Sequence, residues 1–167
     1  MSALSFRPYL PRDAETLAAL FAESILTLGE DHYSEGQLAA WATFGEDAAA
    51  FGAFLAGFTT IVAETEGEIV GFASLKDDKH IKMLYVLPDA ARQGIGKALV
   101  NVMELLAAKR GAEALSVDAS EVAVPLFEKL GYEAQKRNTV MIEDEWLANT
   151  TMKKTLPKGA PQAAGNA

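Results

Sequence analysis

Apolar residues recur along this chain with two different periods. Short β-rich runs bounded by Gly, Pro or Asp alternate with longer stretches whose apolar positions return every three or four residues. Leu4 to Tyr9 reads as a first strand. Pro11-Arg12-Asp13 turns into a helix over 14–28, with Asp13 as N-cap and Leu17, Leu20, Phe21, Ser24, Ile25 and Leu28 as its inner stripe. Ser34 caps a second helix over 35–42 that carries Leu38 and Trp41, and a third short helix spans 48–55 and ends at Gly57. Thr59 to Glu64 and Ile69 to Leu75 form a hairpin across Glu66-Gly67, and Asp77-Asp78 turns into a further strand over 81–87, giving an antiparallel meander. A long helix from Gly94 to about Arg110, with Leu99, Val102, Met103, Leu105 and Leu106 as its apolar positions, stops at Gly111. Ala114 to Ala119 is a strand joined to the fourth by that helix, and so parallel to it. A short helix over 123–130 closes at Gly131. Tyr132 to Ile142 and Leu147 to Thr155 make a last hairpin through Glu143-Asp144-Glu145. From Leu156 the composition turns to Pro, Gly, Ala, Lys and Gln and predicts a loose tail.

The strand over 81–87, the loop Pro88 to Lys97 and the helix that follows concentrate the chemistry. The first N–H groups of a helix lack internal partners and carry the positive end of its dipole, so a helix start suits an anion. Gly94 and Gly96 let a ligand approach the backbone, and Arg92 and Lys97 add charge. A P-loop would need Gly at Ala91 and a hydroxyl at Ala98, and both are missing. A dinucleotide fingerprint would need a third Gly where Leu99 stands.

Composition narrows the classes further. With 167 residues, half of them hydrophobic, the chain suits one domain with a sizeable core. The expected extent is 1–156, followed by a tail over 157–167. There is no cysteine, so a thiolate metal site and a cysteine nucleophile are excluded, and His32 and His80 are too far apart in sequence to suggest zinc. We expect no metal. Met1 to Arg12 lacks the basic start and apolar run of a signal peptide, and no stretch is long enough to span a membrane, so a cytoplasmic protein is expected. The net charge of −8 argues against nucleic acid as a partner. It is unevenly placed: residues 1–75 carry eleven acids against Arg7 and Arg12, while residues 76–167 carry thirteen bases and twelve acids. An anionic cofactor would meet the second part and a cationic acceptor the first. Acids spread over solvated helix faces would give the same count.

The segment Leu84-Tyr85-Val86-Leu87-Pro88, followed by Ala91-Arg92-Gln93-Gly94-Ile95-Gly96, resembles the pyrophosphate loop of the GNAT superfamily of acyl-CoA-dependent N-acetyltransferases. That loop follows a strand ending L-x-V-x-P and reads [QR]-x-x-G-x-[GA]; Ala91 departs from its first position. Ala123-Val124-Pro125-Leu126-Phe127 to Gly131-Tyr132 is similar to the second cofactor segment of that family, and the R-P…D-A opening at Arg7-Pro8 and Asp13-Ala14 is similar to its first helix start. Within the superfamily, His32-Tyr33-Ser34 with Gln37, Leu38 and Trp41 resembles a bacterial subgroup with H-Y-S-x-x-Q-L-x-x-W, whose closing strands match Trp146, Leu147, Asn149, Met152 and Lys154.

The resemblance implies an α/β (α+β) GNAT fold: a mixed, mostly antiparallel sheet of about seven strands, strands 4 and 5 parallel and splayed, flanked by about four or five helices. It implies acetyl-CoA as co-substrate, lying between those strands. Leu84, Tyr85 and Val86 would pair with the pantetheine arm. Arg92, Gln93, Gly94, Ile95, Gly96 and Lys97 would hold the pyrophosphate, and Ser120 and Phe127 would touch the arm. Acetyl would pass directly to an amine, which needs a base. His80 falls where some histone acetyltransferases of the superfamily carry a catalytic Glu, and Asp118 is the second candidate. Phe127 stands where the family often has an acidic tyrosine. His32, Tyr33, Trp41 and Trp146 are the candidate walls of an acceptor pocket, with Phe44 beside them and Glu30, Asp31 and Glu35 to attract a cation. The expected acceptor is a small-molecule amine. A protein lysine or N-terminus, or a non-catalytic acyl-CoA-binding module, are the alternatives. A homodimer through the apolar last strands is also expected.

Overall fold

The computed structural model describes residues 3–157. It contains seven strands and five helices: β1 (Leu4–Pro8), α1 (Ala14–Leu28), α2 (Glu35–Ala42), α3 (Ala48–Ala56), β2 (Thr59–Thr65), β3 (Glu68–Lys76), β4 (His80–Val86), α4 (Ile95–Lys109), β5 (Ala114–Ser120), α5 (Val124–Lys129), β6 (Glu133–Ile142) and β7 (Glu145–Thr155). The strands form one sheet in the order β1-β2-β3-β4-β5-β7-β6. Every neighbouring pair is antiparallel except β4 and β5. The expected residues 158–167 of the tail lie outside the described residues.

Strand alternation sends successive side chains to opposite faces, and each face carries its own core. On one face Ala73, Leu75, Ile81, Leu115, Val117, Ala119 and Met152 meet α4 and α5 through Leu99, Val100, Met103 and Phe127. On the other, Val62, Phe72, Met83 and Leu147 meet α1, α2 and α3 through Leu17, Phe21, Leu38 and Phe51. The buried stripe of α4 is Ile95, Leu99, Val100, Met103 and Ala107. Leu105, which the helical period assigned to that stripe, is 59% exposed, because the true face is centred one position away.

Ser34 caps α2 as its sequence suggests: its hydroxyl accepts from the Gln37 N–H at 3.1 Å, and the Gln37 side chain accepts from the Ser34 N–H at 2.8 Å. Asp13 stands at the α1 N-cap but does not cap it. Its carboxylate takes two bonds from the Arg7 guanidinium, at 2.8 and 2.9 Å, and one from the Leu10 N–H at 2.8 Å. Leu156, expected at the start of a loose tail, is buried against the first core, and its N–H donates to the Glu113 carbonyl at 2.9 Å. Among the described residues no helix is long and apolar enough to cross a membrane, and no group of three or more His, Asp or Glu is placed to hold a metal.

Candidate active site

β4 and β5 pair at only two positions, His80 with Ser116 and Ile81 with Val117. Beyond them β4 stays with β3 as far as Val86, and β5 stays with β7 as far as Ser120. The parallel neighbours therefore part and leave an open wedge in the middle of the sheet. A register shift opposite Ser74 and Leu75 leaves Lys82 as an extra residue on β4 and helps turn the strand away. The Leu87 N–H donates to the Val70 carbonyl across β3. By alternation, Val86 and Leu84 turn their N–H groups the other way, into the wedge.

The loop at the mouth of the wedge is built on left-handed backbone. Arg92 has φ +67° and Gly94, the residue before α4, has φ +82°. These turns aim the loop and the first turn of the helix outward. The Ala98 N–H is the first to donate back along α4, to the Gly94 carbonyl at 3.0 Å, so the N–H groups of Ile95, Gly96 and Lys97 have no partner one turn earlier in the helix. Gln93 folds back to the Asp89 carbonyl at 3.3 Å. Gly96 sits where a Cβ would come within 3.3 Å of Leu126 on α5, so α4 and α5 close on each other there. Free N–H groups, a dipole end, Arg92 and Lys97 make a cradle for a diphosphate, and the wedge behind it has backbone donors for an amide-bearing arm. The residues present fit coenzyme A.

The catalytic candidates meet where the strands part. His80 Nδ1 lies 2.7 Å from Ser116 Oγ, and Nε2 lies 3.7 Å from Asp118 Oδ2. Ser116 and Asp118 are two apart on β5 and so share the face that His80 occupies. His80 is half-buried rather than exposed. Burial pushes its pKa below the ordinary histidine value, Asp118 opposes that, and Lys82 and Lys76 add to it. An open cleft of about 570 Å³ adjoins the ring, bordered by Lys76, Lys79, Glu113, Ser116 and Lys153.

The remaining candidates are spread over several settings. Ser120 closes β5, and its hydroxyl accepts from the Ala123 N–H at 3.3 Å. Phe127 is 1% exposed and packs edge-on against Tyr132, with ring centroids 5.0 Å apart. Tyr132 does not replace the missing tyrosine of α5: it is buried, its hydroxyl donates to Glu104 at 2.8 Å, and its pKa is driven far up by burial and by Glu104. Tyr85 points into the aromatic group of the second core, edge-on to Phe21 and Trp41, and burial drives its pKa far up as well. Tyr33 and Trp41 lie in the same group at 5.5 Å. The Tyr33 hydroxyl donates to the Ala148 carbonyl at 2.7 Å and accepts from the Glu121 N–H at 2.9 Å. It thereby ties the lead-in to α2 to the ends of β5 and β7. His32 is exposed in the turn before it. Trp146 is 57% exposed at the tip of the last hairpin, and its carbonyl accepts from the Gln37 side chain at 2.6 Å. Glu30, Asp31 and Glu35 are exposed.

A model of the GNAT acetyltransferase domain matches residues 30–156. The chain belongs to the GNAT acetyltransferase family, and as a member it is an acetyl-CoA-dependent N-acetyltransferase. The uncharacterized N-acetyltransferase YafP of Escherichia coli (strain K12) is 31% identical over 153 residues, 92% of this chain and 97% of that protein. A crystal structure of a GCN5-related N-acetyltransferase from Rhodopseudomonas palustris is 52% identical and superposes with a TM-score of 0.91 over 93% of this chain and 98% of its own. The PaiA N-acetyltransferase of Thermoplasma acidophilum, solved with coenzyme A, shares the fold at 18% identity, with a TM-score of 0.73 over 92% of this chain and 99% of its own.

Ser116 beside His80, Thr151 on Asp118 and Asn138 on Thr151 carry no motif signal. They are neutral side chains on strands. The one available signal was spacing: Ser116 and Asp118 fall on the same face of β5.

Proposed function

We propose that this acetyltransferase passes the acetyl group directly to the primary amine of a small or amino-acid-like molecule, with His80 taking the amine's proton. The observation that carries the reading is the meeting of His80, Ser116 and Asp118 beside the two paired positions of β4 and β5, beyond which the strands part. Acetyl-CoA supplies the acyl group and the leaving thiolate. Arg92 to Lys97 hold its diphosphate, and Leu84 and Val86 present N–H groups to the arm, one of them able to stabilise the oxyanion that develops on the thioester. Ser120 and Phe127 flank the arm. A histidine kept neutral by burial accepts a proton at physiological pH. With Phe127 on α5 and Tyr132 bound to Glu104, the thiolate leaves toward water. The hydroxyl of Tyr33 pins loops together beside the wedge, and the Tyr33 and Trp41 rings give that side an apolar wall, which supports a small acceptor; His32 and Trp146 stand at its rim.

Thermal unfolding with acetyl-CoA, ATP and NAD at equal concentration tests the donor site. A ligand at ~100 times its Kd stabilises by ~2.7 kcal/mol, and acetyl-CoA alone should do so. Thiol release from acetyl-CoA is then followed with amino acids, polyamines and amino sugars, and with lysine peptides. Turnover confined to the peptides would overturn the small-acceptor reading. His80→Gln should lower kcat about 100-fold, and an unchanged kcat would remove His80 as the base.

A further inference from the structure

Behind His80 a line of neutral side chains runs across three strands. The register of β4 on β5 sets the ring over Ser116, whose Oγ lies 2.7 Å from Nδ1 and 3.4 Å from the Lys79 carbonyl. The single hydroxyl hydrogen of Ser116 can go to that carbonyl, which also accepts from the Ser116 N–H at 3.0 Å, or to the ring. Given to the carbonyl, it leaves the hydroxyl oxygen to accept from Nδ1–H. Asp118 Oδ2, at 3.7 Å, is too far to hold a hydrogen on Nε2 of the neutral ring. On the far side of Asp118, the Asn138 amide donates to Asn149 Oδ1 at 2.9 Å and to Thr151 Oγ1 at 2.8 Å. With its oxygen so engaged, Thr151 donates its own hydrogen to Asp118 Oδ1 at 2.6 Å. From Asn138 through Thr151 to Asp118 each link fixes the direction of the next, and Oδ2 of Asp118 is the atom left facing the ring.

We infer that Ser116, Thr151 and Asn138 are positioning residues of proton removal: Ser116 keeps the neutral His80 protonated on Nδ1 with Nε2 bare, and Asn138 through Thr151 holds Asp118 where the protonated ring needs it. The inference rests on His80 being the base. In the step, an N–H bond of the acceptor's ammonium breaks and a bond from that hydrogen to Nε2 forms. The electron pair stays on the amine nitrogen, and the positive charge moves to the ring. Asp118 Oδ2 then faces that charge together with Asp77, against Lys76 and Lys82. The ring afterwards returns its proton to water.

Imidazole nitrogen NMR of the full chain reads this directly, because the sequence holds only two histidines and His80→Gln assigns the signals. Neutral His80 should appear with hydrogen on Nδ1, and Ser116→Ala should move it to Nε2. A wild-type ring carrying its hydrogen on Nε2 overturns the Ser116 role. Thr151→Val and Asn138→Ala should each move the His80 titration to lower pH, and Thr151→Ser should restore it. In an Asp118→Asn background, Thr151→Val should move it no further. An equal movement in both backgrounds, or a movement to higher pH, overturns the chain. With an acceptor from the amine panel, Thr151→Val should lower kcat about tenfold with KM for both substrates unchanged; a rise in KM alone overturns its part in proton transfer. If His80→Gln keeps its kcat, the base reading itself fails and this inference with it. If His80→Gln fails while Thr151→Val turns over normally, only the chain fails.

Discussion

Asp118 Oδ2 stands 3.7 Å from His80 Nε2, near enough to feel the ring's charge and too far to share its hydrogen. That spacing makes the carboxylate an electrostatic partner of the protonated ring alone. Its effect on His80 is upward, against the larger downward push of burial, while Lys82 and Lys76 press down and Asp77 up. Lys79, Glu113 and Lys153 border the cleft beside the ring. A base works when unprotonated, so with His80 as the proposed base the acidic limb of kcat/KM against pH should follow its free-enzyme pKa and lie below the ordinary histidine value of about 6.5. Asp118→Asn removes the upward influence, so that limb should move to lower pH, while kcat falls because the imidazolium loses its counter-charge. A limb that stays in place would mean that another group sets it.

The wedge depends on a backbone approach that only glycine permits. At Gly71 on β3 a Cβ would meet the Tyr85 carbonyl oxygen at 3.0 Å, Leu99 Cδ1 at 3.1 Å and Ile95 Cγ2 at 3.3 Å. The nearest of these is sheet backbone and cannot swing aside. Gly71→Ala should therefore push β4 at Tyr85, between the Leu84 and Val86 N–H groups that face the wedge, and lower stability by about 1–3 kcal/mol. Acetyl-CoA Kd should rise at least severalfold by calorimetry. Gly67→Ala is the control. That hairpin residue has φ +81° with nothing within 4 Å of a Cβ, so it should cost about 1 kcal/mol of backbone strain and leave the Kd alone. Equal Kd values for the two variants would remove the link between Gly71 and the wedge.

The strand, loop and helix from His80 to Lys109 were legible because each local signal agreed: apolar run, Pro88, Gly94, then a helical stripe. The α2 capping box was legible for the same reason, since Ser34 and Gln37 lie three apart. Asp13 was misjudged because its partners are set by tertiary structure; Arg7 also holds Glu64, a residue 57 positions away in sequence. Leu156 was misjudged because the composition of the tail says nothing of the Glu113 carbonyl that receives its N–H. In the candidate site, motifs reached the strand and loop residues proposed to meet the cofactor through the backbone. They missed Ser116, Thr151 and Asn138, whose meeting requires the pairing of β5, β6 and β7. Trp146 was chosen for its ring, but the hairpin pairs it with Met141, and both side chains are exposed.

Tyr33 joins three segments through one hydroxyl. It gives a hydrogen to Ala148 and takes one from Glu121, and burial raises its pKa. Tyr33→Phe keeps the ring against Trp41 and leaves a carbonyl and an N–H without that partner. It should cost about 1–2 kcal/mol in urea unfolding. It should also raise KM for the amine more than KM for acetyl-CoA, because the loosened ends of β5 and β7 border the proposed acceptor side. Equal changes in the two constants would mean that the tie supports the whole fold and not one side of it.

Arg7 and Asp13 supply a pH test of stability that is separate from catalysis. Asp13 is 4% exposed, and the Arg7 guanidinium, bonded to it at two atoms, holds its carboxyl below the ordinary range; burial works the other way, and the Leu10 N–H assists Arg7. A carboxyl with a lowered folded-state pKa stabilises fully above the unfolded value of about 3.9, and that contribution is lost as pH falls through the folded value below it. Asp13→Asn should therefore cost about 2 kcal/mol at pH 7. This is less than the loss of a fully buried ion pair, because Arg7 keeps Glu64 at 2.9 Å. The difference between wild type and variant should hold from pH 7 to 5 and narrow toward pH 3, as the unfolded wild-type carboxyl takes up a proton that the folded one resists. Urea unfolding of both proteins at those three pH values measures it. A difference that stays constant down to pH 3 would mean that the carboxyl acts through its shape and neutral hydrogen bonds, and that its charge on Arg7 contributes nothing.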